Sequence, residues 1–108
     1  IYCQRLMKNI WGLQRHHIIP REWRDHPTII KFSYDVNAKE NLIFMPSRIT
    51  KRVMRIDYMR PIHDHGHPKY NKYVKKNLDC IESMADLYKF RDFLKKNCRR
   101  NEDNIPWY

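Results

Sequence analysis

Glycine is nearly missing from this chain: two occur among 108 residues. No flexible linker can be built on that. With no repeat or low-complexity tract either, the expectation is a single domain over residues 1–108. Cysteine is scarce and odd in number, at Cys3, Cys80 and Cys98, with no Cys-x-x-Cys pair. A disulfide framework and a cysteine zinc finger are not indicated, and buried free thiols are expected. Long apolar runs are absent as well. Stretches such as Asn41 to Ser47 fall far short of the roughly 18 apolar residues of a membrane span. The first residues, Ile1-Tyr2-Cys3-Gln4-Arg5, show no apolar core of a signal peptide. They also lack an initiator methionine, which points to a processed chain or the terminal domain of a larger secreted or delivered protein.

Acidic side chains are the minority: 12 Asp and Glu stand against 22 Lys and Arg, a formal net charge of +10. The excess is uneven. Residues 1–45 carry seven basic and four acidic groups, residues 46–78 nine and two, and residues 79–108 six of each. A field concentrated in one third of the sequence attracts polyanions, so nucleic acid is the partner it implies. A membrane surface is excluded, because the basic segment has no long amphipathic face with bulky apolar anchors. Ile, Leu, Val and Phe still number 25 of 108, enough for a small core.

Hydrophobic spacing sketches the elements. Ile1 to Trp11 is predicted helical with Gly12 as its stop. Leu13 to Ile19, closed by Pro20, predicts a strand, and Arg21 to His26 a short helical turn. Thr28 to Phe32 fits strand or helix equally. Tyr34 to Asn37 predicts a turn, Asn41 to Pro46 a second strand, and Ser47 to Tyr58 a helix. Arg60 to Gly66 is irregular, and Pro68 suits the first position of a helix with the stripe Tyr70, Tyr73, Val74, Leu78. Ser83 followed by Asp86 resembles a capping box opening a last helix, about 83–100, with the stripe Leu87, Phe90, Leu94, Cys98. The tail from Asn104 is predicted to be a loop that packs Trp107.

Five of the six histidines fall into two groups, His16-His17 and His63/His65/His67. Neighbours in a strand point to opposite faces, so His16 and His17 have different tasks. His63 and His67, four apart across a helix start, can converge on one ion. Imidazole suits zinc, nickel, copper or iron and is a poor ligand for magnesium.

Read in order, three pieces resemble a known group: His16-His17-Ile18-Ile19-Pro20, Asn41-Leu42-Ile43-Phe44-Met45-Pro46, and His63-x-x-x-His67-Pro68-Lys69-Tyr70-Asn71. Together, over about residues 13–80, they are similar to the HNH/endonuclease VII (ββα-metal, His-Me finger) nuclease superfamily. The likeness is greatest to the AHH-like group, often the toxin domain of larger bacterial proteins. The resemblance implies an α+β fold, in which two antiparallel strands and a helix pinch one divalent ion among additional helices. It gives His16, His63 and His67 the part of metal ligands and His17 that of general base. Asn41 is the asparagine that orients the loop carrying the base, and Tyr70 and Asn71 brace the site. Two departures stand out. Arg15 occupies the position of a small residue before the His pair. The glycine expected two residues after the first helix-side histidine comes three after His63, as Gly66, with His65 in its place. The second helix-side ligand is therefore open between His63, His65 and Asn71, and Asp64 is within reach of the ion.

The implied chemistry is metal-dependent hydrolysis of phosphodiester bonds. DNA is the favoured substrate, zinc, nickel or manganese the favoured ion rather than magnesium, and an acidic immunity protein the partner of a toxin domain. Arg15, Arg60, Lys69 and Lys72 are the candidates for gripping flanking phosphates, with Arg48, Lys51, Arg52 and Arg55 beside them. Neutral histidines are required throughout, so activity is expected to fall below about pH 6. The alternative is a non-catalytic nucleic-acid-binding module with a structural ion. A closed site of four protein ligands would favour that alternative; an open position beside an unligated His17 favours catalysis.

Overall fold

The computed structural model describes residues 13–46, 67–100 and 105–106. Within them the fold is α+β: a two-stranded antiparallel hairpin and three α-helices. Strand β1, Leu13–His17, pairs with β2, Leu42–Pro46, in a register that sets His16 opposite Ile43 and His17 opposite Leu42. The pleat separates the two histidines. His16 lies with Ile43 on the buried face, while His17 and Leu42 share the half-buried one.

The predicted strand over Leu13 to Ile19 ends two residues early. Ile18 N–H leaves the ladder for the carbonyl of Asn41 at 2.7 Å. At that point Asn41 is in a 3-10 turn, Lys39–Asn41, so β2 starts one residue later than predicted. The helical turn expected over Arg21 to His26 is a 3-10 turn at Arg21–Trp23. The ambiguous Thr28 to Phe32 belongs to helix α1, Pro27–Lys31. Its cap decides the matter: His26 Nδ1 accepts from Thr28 N–H at 3.1 Å, and Pro27 supplies a pre-set φ at the first turn.

Helix α2, Pro68–Cys80, starts after His67 and buries Tyr70, Val74 and Leu78 as its stripe requires. The connecting segment between the strands is fastened to it at three points. Trp23 Nε1 donates to the Asn71 carbonyl at 3.0 Å, Thr28 Oγ1 to the Leu78 carbonyl at 2.7 Å, and His26 Nε2 meets Asp79 Oδ1 at 2.6 Å. Helix α3, Met84–Arg100, opens as the sequence indicates, with Ser83 Oγ accepting from Asp86 N–H at 3.1 Å. It buries Leu87, Leu94 and Cys98. These stripes, with Ile18, Ile19, Ile43 and Met45, make one core. Cys98 is buried as expected; Cys80, at the last turn of α2, is exposed. No helix among the described residues is long and apolar enough to cross a membrane. The helices expected over 1–11 and 47–58, the loop 60–66, Cys3 and Trp107 lie outside the described residues.

Candidate active site

The hairpin and α2 bring His16 and His67 together. His67 stands at the N-cap of α2, and its ring is 5.1 Å from that of His16, centroid to centroid, at 85°. Tyr70, one turn into α2, sits edge-on to both rings at 5.1 and 5.4 Å. Its hydroxyl donates to the Ile18 carbonyl just past β1, which clamps the strand end to the helix.

Each of the three site histidines has one nitrogen beside a protein partner. His67 Nδ1 lies 2.9 Å from Asn71 Oδ1, an acceptor one turn along α2, so Nδ1 carries the proton and Nε2 keeps its lone pair. Asn71 thus orients His67 through its side-chain oxygen. Burial holds His67 below the ordinary imidazole range, partly offset by Asn71. On the opposite face, His17 Nε2 lies 3.1 Å from Asn37 Oδ1. That oxygen fixes the proton on Nε2 and leaves Nδ1 as the basic atom. Burial also holds His17 below its ordinary value. The Asn37 bond opposes this, and the charges of Arg21 and Arg15 reinforce it. The third, His16, has its Nε2 at 3.7 Å from Cys98 Sγ.

The partner behind His17 is a side-chain amide. Asn37 has no signature of its own, being one polar residue in a turn. What places it is a second turn contact, Asn37 N–H donating to Asp35 Oδ1 at 2.9 Å.

The Asn41 side chain is engaged with the fold. It is buried, and its amide makes four bonds: Oδ1 accepts from Ile19 N–H and the Tyr34 hydroxyl, while Nδ2 donates to the carbonyls of Ile19 and Val36. Burial pushes the Tyr34 pKa up, so that hydroxyl stays a donor. Asn41 is therefore a positioning residue that ties the chain after β1 to the chain before β2. Arg15, Lys69 and Lys72 are exposed, Arg15 on the same strand face as His17. His63, His65, Asp64 and Arg60 lie outside the described residues.

The donor set suits an ion of the zinc type. Two imidazoles sharing such an ion at about 2.0–2.1 Å put their ring centres on the order of 5 Å apart, close to the spacing found for His16 and His67. Both would offer nitrogen, which magnesium accepts poorly. Among the described residues no third His, Cys, Asp or Glu joins them.

A family model matches residues 7–101: AHH, a nuclease family of the HNH/ENDO VII superfamily with conserved AHH. The chain belongs to this family, and it is a nuclease. In the place of the family's Ala-His-His it reads Arg15-His16-His17. No curated protein and no solved structure matches the chain.

Proposed function

We propose that this nuclease is a metal-dependent endonuclease that hydrolyses phosphodiester bonds of DNA with little sequence preference, using one divalent ion and His17 as general base. One observation carries the reading. His16 and His67 face each other across the buried side of β1, while His17, one residue on, faces away with its Nε2 proton held by Asn37. A ligand pair and a separate base from adjacent residues are what hydrolysis needs and what a purely structural site does not.

His16 and His67 would hold the ion, with the further ligand drawn from His63, His65 or Asp64. Such an ion would supply positive charge that offsets the charge developing as the phosphodiester bond breaks. His17 Nδ1 takes the proton of the attacking water, and Asn37 keeps the ring aimed by holding the other nitrogen. Arg15 sits beside the base and counters phosphate charge there. The first turn of α2, where Pro68 follows His67 and no side chain caps the exposed N–H groups, is favourable for a flanking phosphate, as are Lys69 and Lys72. A protein inhibitor fitting this basic face would be acidic.

Plasmid nicking with and without chelator, beside His17→Ala, tests the proposal. The parent should cut only when a divalent ion is present, and the variant should lose cutting while still binding the ion. A variant that nicks as well as the parent removes His17 as base. Cutting that persists in chelator removes the ion.

A further inference from the structure

Beside His16 lies a residue that the nuclease motifs do not contain. Cys98 comes from the last turns of α3, 82 positions along the chain, and its Sγ is 3.7 Å from His16 Nε2. The same sulfur lies 3.9 Å from the Tyr70 hydroxyl oxygen. Cys98, Tyr70 and His16 are all buried, so water does not compete for these contacts.

The order of protons along this chain follows from its far end. The Tyr70 hydroxyl proton is donated to the Ile18 carbonyl, which can only accept. The contact between Cys98 and Tyr70 must then be made by the thiol proton, pointing at the phenolic oxygen. With its proton turned that way, the sulfur meets His16 as an acceptor, and Nε2 of His16 carries the hydrogen. The lone pair of His16 is left on Nδ1.

We infer that Cys98 is a positioning residue for the metal site: by accepting from His16 Nε2 it fixes the tautomer and tilt that present His16 Nδ1 to the ion. The inference rests on the reading of His16 as a ligand. Partners that hold the distal nitrogen of a ligating histidine commonly contribute 10–100-fold to metal affinity. Sulfur does this here at a distance an oxygen could not span without drawing α3 closer, and its bulk continues the apolar stripe of Leu87 and Leu94.

Cobalt(II) is the probe, because its absorption bands report ligand number and geometry on the intact protein. Titrations of the parent, Cys98→Ser, Cys98→Val and His16→Ala are compared, with thermal unfolding of each metal-free protein beside them. Cys98→Ser, which keeps an acceptor but with shorter reach, should bind between the parent and Cys98→Val. Cys98→Val, which fills the space without accepting, should bind roughly 10–100-fold more weakly and shift the bands at a similar unfolding temperature. If Cys98→Val binds as the parent does while His16→Ala loses binding, Cys98 is core filling and the inference is overturned. If His16→Ala also binds as the parent does, the ligand reading itself fails and takes the inference with it. A measurement on the unmutated protein guards against variants that do not fold. Two-bond nitrogen–proton correlations of the histidine rings should show His16 protonated on Nε2, and an Nδ1–H tautomer overturns the proposal.

Discussion

Ile19 and Asn41 exchange two hydrogen bonds across 22 residues of chain: Ile19 N–H donates to Asn41 Oδ1 at 2.9 Å, and Asn41 Nδ2 returns to the Ile19 carbonyl at 3.0 Å. A side-chain amide here does the work of a strand's backbone, extending the pairing past the end of β1. Removing it strands several buried groups at once, each costing about 1–3 kcal/mol. Asn41→Ala should therefore lose on the order of 3 kcal/mol or more in chemical denaturation. Asn41→Asp should fare no better, because a carboxylate cannot donate to Ile19 and Val36. A loss within about 0.5 kcal/mol of zero would mean that the loop is held by something else.

Asn37 is exposed and touches the His17 ring, so its removal should spare the fold. His17→Ala should cost about 100–10,000-fold in turnover, the usual contribution of a general base. Asn37→Ala should cost roughly tenfold of that, with unfolding temperature and cobalt affinity unchanged. Equal turnover in Asn37→Ala and parent would show that His17 aims itself.

Arg15→Ala installs the residue that the family conserves. If the arginine grips phosphate, DNA binding weakens, and the slope of log affinity against log salt falls by about 1, while turnover at saturating DNA is kept. An unchanged slope would reduce Arg15 to a solvated charge.

The clasp between the inter-strand segment and α2 carries a pH signature. Asp79 is held below the ordinary carboxylate range, first by its hydrogen bond to His26 and then by Lys75 at 3.2 Å. An acid depressed in the folded state contributes stability above its unfolded pKa and loses it as pH falls through the folded value. Asp79→Asn should therefore be less stable than the parent near pH 5.5, and the gap should close towards about pH 3. Denaturation at both values reads it; a gap that persists in acid would tie it to packing instead.

Much of this was legible in local pattern. Alternation along a strand already separated the duties of His16 and His17, and the stripes of α2 and α3 marked the residues that are buried. The segment between the strands was less legible, because its conformation is decided by distant partners. Thr28 reads as strand or helix until the His26 ring caps it, and that ring is itself held by Asp79, 53 residues on. Asn37 and Cys98 are invisible for the same reason: an amide in a turn and a thiol on a helix stripe acquire their roles only when the chain folds back upon itself. The family resemblance supplied the ligands and the base, but not what stands behind them.

The antiparallel pairing of β1 with β2 has a further consequence. With a side-chain period of two, a slip by a single position would turn His17 inward and carry His16 out into water, without altering composition or charge. Such an isomer would look folded, stay basic and do no chemistry. One inserted or deleted residue between Leu13 and His16 is thus a more complete way to silence the molecule than most point substitutions.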